Sequence, residues 1–250
     1  MIRTLRKGLA RILRGLARRV DATGIDRLQG HACTDPFFWS LVQIGFKPRN
    51  VVDVGANRGS WSRTAMRYFP EAQFTLFEPQ GELLQGSDLE GNVRARIFAM
   101  GAGPRTSTMK LSKHERDDSF SFALSEDEAA RQGREQVEAP VVALDEFLRQ
   151  QEIPYPDMLK IDAEGWDLEV LKGAEKCVVT AEIVLLEAAV MNKSFDNNFV
   201  RVVLEMESRG FVVFDITDLN RTPKTNALWL VEVAFVKKGG KLDNAISNYM

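Results

Sequence analysis

A run of apolar residues ends in an acidic, glycine-punctuated turn at residues 51–61, and this feature constrains the fold more than any other. Residues 51–54 read Val-Val-Asp-Val, and Gly55 and Gly59 frame the turn before a helix-forming stretch. Apolar runs of this kind suit strands that are covered on both faces of a sheet. Because glycine permits sharp turns and close approach of a ligand, the turn predicts a nucleotide-type cofactor site at the carboxyl end of a parallel strand.

The spacing within this turn distinguishes between cofactors. A dinucleotide fingerprint reads Gly-x-Gly-x-x-Gly, whereas Asn57 and Ser60 stand at its second and third glycine positions here. Asp53 lies two residues before Gly55, and a carboxylate there would repel a pyrophosphate bound at the start of a helix. It would instead attract the cationic amino group and sulfonium of S-adenosylmethionine. The turn therefore favours a methyl donor over a dinucleotide, and a tight turn without a ligand is the alternative.

A second carboxylate follows the next predicted strand, residues 73–77. Glu78 and Pro79 end this strand, and an acid about 20 residues past a glycine turn is where nucleotide-binding units hold a ribose diol. Hydrogen bonds to a charged carboxylate contribute about 1.5–3 kcal/mol each. A solvated strand end is the alternative for Glu78. A third strand over residues 93–99 ends at Met100, which we expect to flank an adenine ring or to belong to the core.

The rest of the chain alternates strands and helices, which indicates βαβ units and a parallel sheet. Asp35 and Asp145 are predicted N-caps of the helices that follow them. Residues 104–140 interrupt the alternation with a polar segment, for which we expect a lid or substrate loop, or a surface loop with one helix near residues 125–136. The pattern predicts further helices at 35–47, 59–68, 146–151, 166–176 and 196–209, and strands at 141–144, 157–161, 182–186, 211–214 and 227–236, the last two as an antiparallel pair at the sheet edge.

Length and composition fit one α/β domain over residues 31–250, since the 250-residue chain is 44% hydrophobic and can bury a full core. The net charge of −2 argues against a nucleic-acid partner. Two distant cysteines and only two histidines favour a reducing cytoplasm and argue against zinc. A membrane-spanning helix needs an apolar run of about 18–20 residues, and the sequence contains no such run.

The first 30 residues form a separate basic segment. Residues 1–20 carry seven basic side chains and no acid, which leaves −9 on the remaining chain. Apolar residues from Ile2 to Val20 recur at helical spacing. This amphipathic helix would contact an anionic membrane surface peripherally, or pack on the domain or a partner subunit.

Acidic residues also end two other predicted strands: Asp162 and Glu164 follow the strand at 157–161, and Glu187 ends the strand at 182–186. Methyl transfer to a hydroxyl needs alignment of the reactants and a base for the alcohol proton, and Asp162 and Glu164 are candidates for that base or for orienting the acceptor. Lys160 shares a sheet face with Asp162 and would keep its carboxylate ionised; a structural ion pair is the alternative. Asp162 and Glu187 could also supply two oxygen ligands to a divalent metal such as Mg²⁺.

The motifs taken together resemble the FkbM family of S-adenosylmethionine-dependent methyltransferases. The similarity covers residues 51–59, the block from Leu159 to Gly165 with the following 168–174, and shorter matches at 77–79, 143–145 and 185–187. Ala163, Trp166 and Asp167 depart from the family's usual residues, which bears on acceptor fit. The resemblance implies a Rossmann-like class I methyltransferase fold: a mostly parallel seven-stranded sheet with helices on both faces and an antiparallel edge strand.

The same resemblance implies O-methylation of sugars or of polyketide- and peptide-type metabolites. It implies a reaction site lined by Asp162 and Glu164, and a donor site formed by Asp53, Gly55, Asn57, Gly59 and Glu78. We predict that Ala56, Pro79 and Met100 also bind the donor. We therefore expect a cytoplasmic O-methyltransferase that acts on a saccharide or glycan hydroxyl in polysaccharide biosynthesis. A nicotinamide-dependent oxidoreductase and a membrane-docked scaffold that only binds the donor are the alternatives.

Overall fold

The computed structural model describes residues 33–113, 120–121, 126–131, 133–191, 197–222 and 224–246. The predicted amphipathic helix over residues 1–20 lies outside this part of the chain. No helix within it has the length and apolar character needed to cross a membrane.

Helices and strands alternate along the described chain, as the sequence predicts. The helices are α1 Thr34–Gln43, α2 Ser60–Tyr68, α3 Glu126–Arg131, α4 Leu144–Gln150, α5 Asp167–Lys172, α6 Glu175–Thr180, α7 Phe199–Ser208 and α8 Lys241–Ala245, and a 3₁₀ turn spans Gly81–Leu83. The strands are β1 Asn50–Val54, β2 Gln73–Phe77, β3 Ala95–Phe98, β4 Gly101–Ala102, β5 Ser107–Lys113, β6 Phe120–Ser121, β7 Gln136–Val142, β8 Met158–Ile161, β9 Ile183–Ala189, β10 Phe211–Arg221 and β11 Leu228–Lys237.

Seven of these strands form the central sheet, in the order β10-β11-β9-β8-β1-β2-β3. The pairs from β9 to β3 are parallel, whereas β11 runs antiparallel to both β9 and β10. The sheet therefore ends in the predicted antiparallel pair, and the reversed strand is the second from the edge. This arrangement confirms the expected methyltransferase-like α/β fold.

Both faces of the sheet are buried at its inner strands, β1, β2, β8, β9 and β11, which explains why these strands read as apolar runs. In β1, Val52 and Val54 face a core that includes Leu171 of α5 and Val202 of α7. Val51 points to the opposite core, which contains residues of α1, α2 and α8. The alternation along β1 therefore also fixes Asp53 on the face of Val51.

The segment over residues 104–140 contains more regular structure than the sequence analysis anticipates. Strands β5 and β7 belong to a second sheet of order β4-β7-β5-β6, and the helix, α3, is shorter than predicted. Met109 and Leu111 pack with Val141 on one side of this sheet, while Lys110 points to solvent. This alternation marks β5 as a strand, although the segment has few branched apolar residues. Its role as a lid stays a prediction.

Both predicted N-caps are wrong. The carboxylate of Asp35 accepts a hydrogen bond from the Tyr68 hydroxyl at 3.0 Å, and α1 begins one residue earlier, at Thr34, with no side-chain cap. Asp145 accepts hydrogen bonds from the backbone N–H groups of Lys176 and Cys177 at 2.7 and 2.9 Å. It therefore caps α6 and not α4, because the chain brings these two helices together.

The helix predicted over residues 166–176 is two helices, α5 and α6, separated at Gly173. A Cβ atom at Gly173 would lie 2.1 Å from the carbonyl oxygen of Gly103. The absence of a side chain at Gly173 therefore lets the backbone approach Gly103, the residue that follows β4.

Candidate functional site

A cavity opens at the carboxyl ends of β1, β2 and β8, where ligands bind in open parallel sheets. Three polypeptide turns and the second sheet each contribute part of its wall. The lining residues are Val54, Gly55 and Asn57 after β1, Glu78, Pro79 and Gln80 after β2, Asp162, Ala163 and Glu164 after β8, and Gly101, Ala102 and Leu111 from β4 and β5.

The turn after β1 requires glycine for two reasons. Gly55 has φ +74°, a conformation that L residues rarely adopt. A Cβ atom there would lie 1.8 Å from the carbonyl oxygen of Asp162, so the turn touches the backbone that follows β8. The N–H groups of Gly55 and Ala56 donate to the Phe77 carbonyl at 2.9 and 3.1 Å. Ala56 itself is buried in the core and does not line the cavity.

The Glu78 carboxylate connects the ends of β1 and β2. One oxygen accepts a hydrogen bond from the Asn57 N–H at 2.7 Å, and the other accepts from the Gln80 N–H at 2.9 Å. Burial raises the pKa of Glu78, whereas these two hydrogen bonds oppose the rise. Since each carboxylate oxygen can accept more than one hydrogen bond, Glu78 retains acceptor capacity toward the cavity.

Lys160 lies between two carboxylates beneath the cavity. Its Nζ atom is 3.0 Å from Asp162 Oδ2 and 3.6 Å from Asp53 Oδ1. Burial would lower the pKa of Lys160, but the carboxylates of Asp162, Asp53 and Glu232 outweigh it and the net pKa is raised. Lys160 is therefore a permanent cation in this cluster.

Asp53 is fully buried and is not among the residues that line the cavity. It accepts a hydrogen bond from the Ser62 hydroxyl at 2.5 Å as well as facing Lys160. Burial raises the pKa of Asp53, and Lys160 and Ser62 oppose this rise. The structure thus places Asp53 behind the turn after β1, where it joins α2 to β8.

Glu187 and Asp167 lie near the end of β9 and the start of α5. Burial is the main cause that raises the pKa of Glu187, and the carboxylates of Asp162, Glu164 and Asp167 raise it further. The Oε2 atom of Glu187 is buried and has no hydrogen-bond partner among the described residues. In that same part of the chain, no group of three or more His, Cys, Asp or Glu side chains is arranged to hold a metal ion.

Several residues of the site do not follow from the sequence patterns. Gln80 and Leu111 line the cavity, and Asn197 contacts Asp167 from a distant part of the chain. For Asp167, the local sequence signal is its place with Glu169 in the acidic first turn of α5. Four predicted donor residues do not line the cavity. Two of them are Asp53 and Ala56, described above. Of the other two, Met100 packs on the core, next to the cavity residue Gly101, and Gly59 packs its backbone against Leu89, where a Cβ would lie 2.2 Å from Cδ1.

Comparison with known protein families gives a match to the Methyltransferase FkbM domain over residues 53–213. No curated protein matches the sequence.

Several solved structures resemble the chain at low sequence identity. A methyltransferase FkbM from Methylobacillus flagellatus KT is 16% identical with a TM-score of 0.49, and the match covers 74% of this chain and 43% of that one. A precorrin-6y C5,15-methyltransferase from Geobacter metallireducens GS-15 is 13% identical, with a TM-score of 0.45 and coverage of 82% and 87%. A 1,6-didemethyltoxoflavin-N1-methyltransferase from Burkholderia thailandensis, with S-adenosylhomocysteine bound, is 11% identical, with a TM-score of 0.43 and coverage of 92% and 89%. The chain thus spans less than half of the length of the first of these structures.

Proposed function

The chain belongs to the FkbM methyltransferase family, and on that premise we propose that it transfers a methyl group from S-adenosylmethionine to a hydroxyl oxygen of a saccharide, glycan or related metabolite. The charge of the cavity carries this proposal. Its ionisable lining residues are Glu78, Asp162 and Glu164, and no Lys or Arg lines it among the described residues. Such a wall suits a cationic donor and opposes a pyrophosphate, which disfavours the nicotinamide-dependent alternative.

The residues around the cavity fit the donor. Glu78 has the acceptor capacity to bind two ribose hydroxyls, while its own bonds to Asn57 and Gln80 hold it in place. Gly55 lines the cavity and presents only backbone to it, so we propose that the donor lies directly on this turn. We propose that Asp53 supports this site from behind, through Ser62 and Lys160, and does not touch the donor.

The reaction needs a proton acceptor, since a hydroxyl oxygen attacks as its proton leaves. S-adenosylmethionine supplies an electrophilic methyl group on a sulfonium. Asp162 and Glu164 border the same cavity and are the proposed residues that orient the acceptor hydroxyl and remove its proton. Lys160 contributes by fixing the position of the Asp162 carboxylate through the 3.0 Å ion pair.

Calorimetric titration with S-adenosylmethionine and, separately, with NAD tests the donor assignment. We expect binding of the first and none of the second, and the reverse result would contradict the proposal. Transfer of tritium from methyl-labelled donor into a cell-envelope glycan extract tests the reaction. If the donor binds but neither glycans nor other metabolite pools become labelled, the chain is a donor-binding scaffold and not an enzyme.

Peripheral membrane contact through residues 1–20 is a separate hypothesis that rests on their sequence alone. Flotation with anionic vesicles, compared between the full chain and a chain lacking residues 1–20, tests it. Equal recovery of the two proteins with the vesicles would contradict a membrane role for the segment.

A further inference from the structure

Asp167, the first residue of α5, makes two side-chain contacts that no part of the proposed reaction uses. Its side chain is fully buried. The Oδ1 atom accepts a hydrogen bond from the Ala163 N–H at 3.3 Å, and Oδ2 accepts one from the Asn197 side-chain amide at 2.9 Å. The carboxylate therefore lies between the turn after β8 and the segment that follows β9.

The turn after β8 has a conformation that its own residues do not favour. Glu164 has φ +49° and Gly165 has φ +91°, so two successive residues adopt the left-handed region, which is unfavourable for glutamate. Asp162, Ala163 and Glu164 all line the cavity. Contacts from outside the turn must therefore hold it, and the Asp167 hydrogen bond enters at its central residue.

Asn197 connects the same carboxylate to β9. Its side-chain N–H also donates to the Glu187 backbone carbonyl at 3.3 Å, and its backbone carbonyl accepts from the Ala189 N–H at 3.1 Å. Asn197 is 1% exposed, so water does not compete for these contacts. Asp167 and Asn197 together thus tie the carboxyl ends of β8 and β9 to each other.

We infer that Asp167 is a positioning residue of the proposed methyl-transfer site, which holds Asp162 and Glu164 in place through the Ala163 amide. This inference rests on the proposed function for its catalytic meaning. The carboxylate itself touches neither donor nor acceptor, since it does not line the cavity.

The ionisation of Asp167 governs how firmly the turn is held. Burial, and then the Asp162 carboxylate, raise the pKa of Asp167 to about 7, while the Ala163 N–H and Lys160 of β8 oppose the rise. Glu187 of β9 faces the same carboxylate and repels it. Because a charged acceptor forms the stronger hydrogen bond, the bond from Ala163 strengthens as Asp167 loses its proton.

The Ala163 amide resonance in a ¹⁵N–¹H NMR titration of the full chain reports this contact directly. In the wild-type protein we expect its chemical shift to change with a midpoint near pH 7, following the pKa of about 7. In Asp167→Asn the residue is neutral at every pH, so the Ala163 resonance should stay near its low-pH position. Persistence of the same titration in Asp167→Asn would overturn the inference.

Two further variants keep the test decisive if Asp167→Asn does not fold. Asn197→Ala removes a hydrogen bond that favours the ionised carboxylate, so the Ala163 midpoint should move to higher pH; an unchanged or lower midpoint would overturn the inference. Asp157→Asn is the matched control, because Asp157 also accepts backbone N–H bonds, from Arg49 and Asn50 at 2.7 and 3.0 Å, but at the opposite end of β1. It should leave the Ala163 titration unchanged.

Turnover and donor affinity together separate this inference from the proposed function. If Asp162 and Glu164 are mispositioned in Asp167→Asn, turnover in the tritium assay should fall by about tenfold, the effect of one hydrogen bond, whereas Asp157→Asn should turn over as the wild type does. Equal turnover in all three proteins would contradict a positioning role. Absence of binding to the wild type would contradict the proposed function and leave the outcome of the NMR titration standing.

Discussion

Replacing Gly55 by alanine tests whether the close approach of β1 and β8 builds the cavity. Gly86 is the matched control, since it has a similar φ of +66° but nothing within 4 Å of an added Cβ. We expect Gly86→Ala to lower the free energy of unfolding by about 1–2 kcal/mol, because alanine is unfavourable in the left-handed region. Gly55→Ala has the same backbone cost, and its Cβ would also lie 1.8 Å from the Asp162 carbonyl oxygen.

The additional cost at Gly55 comes from backbone that must move. Overpacking of a tight interior costs about 1–3 kcal/mol, so we expect Gly55→Ala to lower the free energy of unfolding by about 2–5 kcal/mol in total. The assay is urea denaturation of both variants, read from the transition midpoints at equal slope. Gly55→Ala should also lose donor binding, because the turn moves away from the end of β8, while Gly86→Ala should keep it.

The comparison can refute the reasoning outright. If the two variants lose the same stability within about 0.5 kcal/mol and both bind S-adenosylmethionine as the wild type does, the approach of Gly55 to Asp162 is not a constraint on the site.

Three other predictions follow from the same geometry. Glu78→Ala should weaken S-adenosylmethionine binding by about tenfold or more in calorimetry, because charged hydrogen bonds to the ribose are lost; affinity within twofold of the wild type, on the order of 0.4 kcal/mol, would contradict this role. Asp162→Asn should leave donor affinity intact but depress turnover in the tritium assay, and normal turnover would remove Asp162 from the chemistry. Burial raises the pKa of Glu232 to about 7 from 4.5, so the folded state retains a proton that the unfolded chain has lost, and stability falls as the pH rises between these values. In thermal unfolding, the stability of Glu232→Gln relative to the wild type should therefore be higher at pH 8 than at pH 5. A stability difference that does not change with pH would contradict the raised pKa of Glu232.

Local sequence signals identify the part of the candidate site that β1, β2 and the turns after them form. The spacing of Gly55, Asn57 and Glu78 predicts their common position, and the structure joins Asn57 to Glu78 at 2.7 Å. Asp53 shows the limit of such spacing. It stands in the motif, but strand alternation turns it to the same face as Val51, so it is buried and does not line the cavity.

Contacts between distant elements were not predictable in the same way. Asp145 caps α6 and not the helix in which it lies, and Asp167 meets Asn197 thirty positions away in the chain. Both contacts exist only because the sheet places their elements side by side, and no local pattern encodes that neighbourhood. The strands within residues 104–140 differ. They were not predicted from the sequence, although Met109 and Leu111 alternate with polar residues in the sequence and pack in the same cluster in the structure.

A crystal structure with S-adenosylhomocysteine bound tests the central claim most directly. The account predicts the ribose hydroxyls within hydrogen-bond distance of the Glu78 carboxylate and the sulfur between the turn at Gly55 and residues 162–164. A ligand bound elsewhere, with its sulfur remote from both turns, would contradict the claim that these carboxyl-terminal strand ends form the methyl-donor site.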